Sequence, residues 1–226
     1  MKFSKSWAAA AAMVVLSGAA QAALVNRGGG MIYDTTRNLT WLADMNFAST
    51  SGHNGTGVNA NGTMNWAAAS DWANNLVYGG FSDWRLPTLN PSDTSCTGGF
   101  GFGLGYNCTG GELSGLFVTD LGNKAGESVL NQVGDTADQI ANLALFSNVQ
   151  SNVYWSGTDY VLYPSLASYV FRPSDGFQNF YFRPDALYAV AVRPGDVAAR
   201  VPEPQTLALA LLALGATVVA RRRRPR

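Results

Sequence analysis

Two short apolar runs, one at each end of the 226 residues, take both termini out of the folding problem and confine the fold to what lies between them. The first, WAAAAAMVVLSG at 7–18, follows the positive Lys2 and Lys5 and precedes Ala20, Gln21 and Ala22, a small-x-small cleavage site. That order predicts a signal peptide at 1–22 and a mature chain starting at Ala23. The second run, at 206–220, holds only small and aliphatic residues and no charge. As a helix rising ~1.5 Å per residue it would be about 22 Å long. That is short for a hydrocarbon core of about 30 Å, but workable as a brief membrane stop with tilt or thinning. Arg221, Arg222, Arg223, Arg224 and Arg226 follow it and would hold the C-terminus in the cytoplasm.

Val201, Pro202, Glu203 and Pro204 stand just before this run. Two prolines keep the stretch extended and accessible to an enzyme, which favours a sorting tail over the rival reading, a permanent anchor. The order Pro-Glu-Pro, short apolar helix and arginine cluster resembles the PEP-CTERM sorting signal over 201–226. The resemblance implies recognition of Val201, Pro202, Glu203 and Pro204 by a membrane-embedded exosortase in a Gram-negative bacterium. It also implies removal of the tail and release or attachment at the outer surface. Signal peptidase and exosortase are then the expected partners, and the membrane is a transient one through the 206–220 helix.

What remains, 23–200, has the length of one domain. It is acidic, with eight Lys and Arg against fourteen Asp and Glu, which argues against nucleic acid or anionic membrane as partners. Gly, Asn, Ser and Thr are frequent and aromatics are spread throughout, a composition of loop-rich extracellular folds and not of disorder. Cys96 and Cys108, the two cysteines, bracket CTGGFGFGLGYNC. In an oxidising compartment this pair predicts a disulfide closing a glycine-rich loop. The one histidine, His53, lies in a Gly/Asn-rich loop away from both cysteines in sequence, and it reads as solvated. No metal and no cofactor is expected.

Short strands are predicted at MIYD (31–34) and LTWLAD (39–44), joined by the turn TTRN. TMNWAAASDWANNLVYGG predicts a helix capped by Thr63 and stopped by Gly79, with Trp66, Ala69, Ala73, Leu76 and Val77 on one face. DWRLPT reads as strand or extended chain broken at Pro87. ELSGLFVTDLG places Leu113, Leu116, Phe117 and Leu121 at helical spacing with Gly122 as the stop, and 142–149 reads as a connection. VYWSGT, ASYVF, QNFYF and YAVAVR are β-rich runs separated by Gly, Pro and Asp. The sum is an α+β single domain with two or more short helices followed by an antiparallel β meander.

DTTRNLTWLAD, the Trp-rich helix, GFSDWRLPT, LFSNVQSNVYWSGTDY and YAVAVRPGDV come in an order that resembles the DUF1566 family, also called the Lcl C-terminal domain. The resemblance runs from about Met31 to Val197, with DWRLPT (83–88) and YWSGT (154–158) its specific parts. It implies a C-type-lectin-like fold and glycan or matrix binding, by fold-level analogy with a collagen-like adhesin whose C-terminal domain binds glycosaminoglycans. The paired motifs that hold calcium in such lectins are replaced here by NPSD and RPDA, and the acidic charge suits polyanions poorly.

Asp83, Trp84, Arg85 and Trp155 are the candidate ligand residues. The indoles would stack on the apolar face of a sugar ring, while the charged groups take hydroxyls. The competing reading is structural, with Arg85 ion-paired and Trp84, Leu86 and Trp155 packed in the core. Tyr160, Tyr163, Tyr169, Tyr181 and Tyr188, with Asp159, Asp175 and Asp185, offer a second candidate surface, half of which should be core. There is no nucleophile elbow, HExxH, phosphate loop or Cys/His pair, and fourteen carboxylates single out no acid/base pair. The expectation is a non-catalytic glycan- or matrix-binding module, possible ligands being exopolysaccharide or another glycan. A structural component of the exopolysaccharide matrix and, third, a polysaccharide-acting enzyme stay open as alternatives.

Overall fold

The computed structural model describes residues 23–52 and 57–197. The cleavage residues Ala20 and Ala22, His53, the sorting residues Val201, Pro202, Glu203 and Pro204 and the 206–220 run lie outside the described residues. In chain order the elements are β1 (Leu24–Gly28), β2 (Met31–Asp34), β3 (Leu39–Leu42), α1 (Phe47–Thr50), α2 (Trp66–Asn74), β4 (Thr97–Gly101) and β5 (Leu104–Tyr106). Then come α3 (Glu112–Ser114), running into a π-helical turn at Gly115–Asp120, α4 (Ala137–Leu143), β6 (Tyr154–Asp159), β7 (Ala167–Arg172), β8 (Phe177–Phe182) and β9 (Val192–Pro194). Short helices with antiparallel sheets make this an α+β architecture.

One sheet has the order β1-β2-β3-β9 and the other β4-β5-β8-β7-β6, with every pairing antiparallel. The β6-β7-β8 part is the meander that the last third of the sequence predicts. YAVAVR does not form one long strand. Only Val192–Pro194 pairs as β9, and the residues before it bridge outward, Leu187 to Met64 and Tyr188 to Tyr154, while Val192 also bridges Arg85. This buried segment, 187–192, sews the second sheet to the first.

All five residues of ASYVF in β7 are buried, because both faces of the second sheet are covered. On one face Tyr169 and Phe171 join Leu113, Leu116 and Phe117, with the Phe117 ring stacked on Phe171 at 5.3 Å. On the other, Val170 and Trp155 pack with Ala69, Trp72, Ala73 and Leu76 around α2.

The helices depart from the sequence reading in three places. The helix expected to run from Thr63 to Gly79 spans only Trp66–Asn74, because the Asn65 side chain accepts from the Ala68 amide at 2.9 Å and takes the cap. It ends at Asn75, so Val77 leaves the helical face and is 72% exposed, while Trp72 occupies the apolar stripe. Gly79 and Gly80 instead form the turn between Tyr78 and Phe81. ELSGLFVTDLG buries Leu113, Leu116, Phe117 and Leu121 as predicted, but its second half widens, with the Leu121 amide reaching back five residues to the Leu116 carbonyl at 3.0 Å. α4 lies largely before the stretch read as a connection. Its capping box, Thr136 with Gln139, is a signal that the sequence does carry.

Candidate functional site

DWRLPT alternates across the molecule. Trp84 and Leu86 point into the core and Asp83 and Arg85 point away from it. Trp84 is 2% exposed and its Nε1 donates to the Tyr78 carbonyl at 3.3 Å, while Trp155 is fully buried with Nε1 donating to the Met64 carbonyl at 2.9 Å. Neither indole offers a ring face to solvent, so the stacking role considered for them has no surface to act on. Trp84 is buried by alternation along DWRLPT, whereas Trp155 is buried because both faces of β6 are covered there, Tyr154 and Ser156 beside it being fully buried too.

The two charged residues are staples. Arg85 donates to both Glu112 oxygens at 2.7 Å, and the same carboxylate accepts from the Thr88 amide at 2.8 Å. Asp83 accepts from Arg193 Nε and Nη2 at 2.7 and 3.0 Å, and these hydrogen bonds with Arg193 hold its carboxyl below the usual range. The segment is thereby riveted to α3 and β9. Burial works against the Glu112 charge, but the Arg85 hydrogen bonds, the Thr88 amide and the Arg85 charge outweigh it and hold this carboxyl low as well. A carboxyl whose folded pKa is depressed contributes stability above its unfolded pKa and loses it as pH falls through the folded one. We therefore expect the stability gap between the native chain and Glu112→Gln to be present at neutral pH and to close as pH falls through the acid range, read by thermal melts.

The tyrosine-rich third divides. Tyr160, Tyr169 and Tyr188 are buried, whereas Tyr163 is 48% exposed and Tyr181 is half-buried. Tyr188 packs elsewhere, on Tyr154, and Tyr181 packs against the α2 side of the core. Tyr160, Tyr163 and Tyr169 do come together, and two residues that the sequence reading passed over join them. Phe180 stacks on Tyr160 with centroids 3.9 Å apart, Tyr169 meets Tyr160 edge-on at 5.2 Å, and Phe182 and Tyr163 flank the stack at 6.2 and 6.1 Å. The signal was legible in QNFYF, whose Phe180 and Phe182 share one face by period two.

The glycine-rich loop supplies the rest. Cys96 and Cys108 form the predicted disulfide, and between them β4 and β5 make a hairpin that carries Phe100 and Phe102. The Tyr169 hydroxyl donates to the Phe102 carbonyl at 2.5 Å, which ties the hairpin tip to the aromatic stack. Burial pushes the Tyr169 phenol up to about 12, so it stays protonated. A Cβ at Gly99 would collide with the Leu104 carbonyl, and one at Gly103 with the Asn90 carbonyl, so this close packing requires glycine at both places. Beside the hairpin lies an open groove of about 490 Å³ lined by Pro91, Ser92, Asp93, Thr94, Phe102 and the loop glycines. Asp93 pins the groove wall, its carboxylate accepting from the Ser95 amide and hydroxyl and from the Gly110 amide. Asp93, Cys96 and Cys108 lie close together, but both sulfurs are committed to the disulfide and offer no thiolate to a metal.

Phe102 and Phe182 are each 51% exposed, and Phe100 is 87% exposed. With Val161, Leu162, Tyr163 and Leu166 of the β6–β7 loop they make up most of the exposed large apolar side chains among the described residues. Such a concentration marks an interaction surface more than scattered surface apolars do.

A family model, the PEP-CTERM protein-sorting motif, matches residues 200–224, which include Val201, Pro202, Glu203 and Pro204. No curated protein and no solved structure matches the chain. The tail is therefore a PEP-CTERM sorting signal, and it marks the chain as an exosortase substrate exported across the inner membrane to the cell surface of a Gram-negative bacterium.

Proposed function

We propose that the exported domain is a non-catalytic module that binds polysaccharide of the cell-surface matrix through the aromatic face formed by Tyr163, Phe180, Phe182 and Phe102, which the buried Tyr160 ring backs from beneath. The observation that carries this reading is the ring array itself, half-exposed and continuous through Phe102 with a groove walled by peptide groups and hydroxyls. Flat aromatic faces suit the C–H side of a pyranose, and the groove supplies the polar partners its hydroxyls need. The motif series from DTTRN to YAVAVR supports the kinship with DUF1566 and a C-type-lectin-like arrangement, with Asp83 and Arg85 serving as scaffold.

A binding role in place of an enzymatic one is supported by how the charges are spent. Eight of the fourteen carboxylates of the domain, Asp34, Asp83, Glu112, Asp120, Asp135, Asp159, Asp175 and Asp196, are tied up in ion pairs, and Asp93 is buried with both oxygens accepting protein hydrogen bonds. The sorting tail acts as a transient handle, so an intact mass of the secreted chain should end short of Arg221. A mass that retains Arg221 to Arg226 would make the tail a permanent anchor.

Phe102→Ala and Tyr163→Ala remove exposed rings and should leave the fold intact. Each should weaken co-sedimentation of the secreted chain with matrix polysaccharide about tenfold or more, equivalent to about 1.4 kcal/mol. Undiminished binding in both variants would move the site elsewhere. Absence of binding in the native chain would leave a structural matrix component as the better description.

A further inference from the structure

We infer that the polysaccharide taken by this face is uncharged. The inference rests on the glycan-binding reading above and adds the chemical class of the ligand. A site for an acidic polysaccharide needs cations free to meet carboxylates or sulfates, usually as a basic stripe along the binding surface.

Among the described residues there is none to offer. Arg27 is paired with Asp196, Arg37 with Asp34 and Asp120, Arg85 with Glu112, Lys124 with Asp135, Arg172 with Asp175, Arg183 with Asp159 and Arg193 with Asp83. Those pairs account for every Lys and Arg in the described residues. Arg183, the cation closest in sequence to the aromatic face, follows Phe182 directly, yet its guanidinium lies over the Trp66 ring at 3.9 Å and bonds Asp159 and Ser168. It is turned toward α2 and away from the stack. Each cation is already neutralised by its carboxylate, and the excess of carboxylates over cations on the domain would repel a polyanion.

The groove is equally neutral. Asp93 is the one carboxylate in its lining, 8% exposed, and both of its oxygens already accept protein hydrogen bonds. What remains to face a ligand is the glycine backbone, the exposed Ser92 and Thr94 and the Phe102 ring. Peptide groups and hydroxyls pair well with sugar hydroxyls and hold no net charge to select an ionic group. Aromatic rings complete the same preference, since stacking on C–H faces is insensitive to salt.

The test uses the secreted chain and the matrix polysaccharide of the producing cells, separated on an anion exchanger into a neutral and an acidic fraction. We expect saturable binding to the neutral fraction. It should change less than about threefold between about 20 and about 500 mM salt, and fall about tenfold or more in Phe102→Ala. Preference for the acidic fraction, weakening steeply with salt and lost in Phe102→Ala, would overturn the inference while the glycan-binding reading stands. Binding to neither fraction, with the chain folded and oxidised, would overturn both. Binding to the neutral fraction that Phe102→Ala leaves unchanged would also overturn it, because the ligand class would then have been argued from the wrong surface.

Discussion

Replacing Arg37 by alanine should destabilise the domain by about 3–5 kcal/mol, the range seen when one partner of a buried ion cluster is removed. Arg37 sits on the turn between β2 and β3, and its Nη1 donates to Asp34 at 2.7 Å and to Asp120 at 2.5 Å. Both carboxylates are buried, the Asp34 side chain completely and that of Asp120 to within 6%. Asp34 is also the acceptor for the Thr36 and Arg37 amides, so the cluster shapes the turn and clamps it to the π-helical turn carrying Asp120. Gly115 makes the approach possible, since a Cβ there would collide with the guanidinium. Burial is the largest influence on Asp120 and pushes its carboxyl up even with Arg37 beside it. A carboxyl with a raised folded pKa binds its proton more tightly when folded, so stability is lost as pH rises through that pKa and regained as it falls. Arg37→Ala should therefore be most damaging at neutral pH and milder in the acid range, and Asp120→Asn in that background should restore part of the loss. At about 2–4 °C per kcal/mol for a domain of this size, thermal melts read the effect easily. A loss below about 1 kcal/mol would show that the cluster is solvated enough to dispense with its cation.

The second large effect belongs to the disulfide. Cys96 and Cys108 close a loop across a sequence separation of 12, for which chain entropy predicts about 3 kcal/mol of stabilisation. The residues between them are rich in glycine, and glycine gains the most backbone freedom when released. The double variant Cys96→Ser, Cys108→Ser should therefore lower the melting temperature. It should also weaken matrix binding, because the hairpin carrying Phe100 and Phe102 loses its closure. Reduction of the native chain should reproduce both changes. A lowered melting temperature with full binding would mean that the Tyr169 bond to Phe102, with Gln178 donating to the Gly103 carbonyl at 2.5 Å, holds the hairpin in place unaided.

The β-rich last third was legible because period-two alternation and turn residues act locally, and the disulfide was legible from compartment and spacing. The end of α2 was not. Asn65 outcompeted Thr63 for the cap by two residues, and nothing in the local pattern ranks one above the other. β4 and β5 carry so many glycines that no strand propensity appears, and their pairing follows from the disulfide and from close backbone approach instead. The candidate site was half legible. DWRLPT stands out in sequence because tryptophan, arginine and proline stand together, yet the same conspicuous residues are what a core and its ion-paired staples require. Arg37 was hidden for the opposite reason: its partner Asp120 lies 83 residues away, and only the tertiary fold brings them together. The aromatic face likewise draws on the hairpin, the β6–β7 loop and β8, three stretches that no local pattern unites.

Hydrogen exchange of the secreted, oxidised chain with and without the neutral matrix polysaccharide tests the binding face most directly. We expect slowed exchange at 97–106, 160–166 and 180–182, with 83–88 unchanged. Protection confined to 83–88, or to segments remote from the aromatic stack, would contradict the assignment of this face as the binding surface.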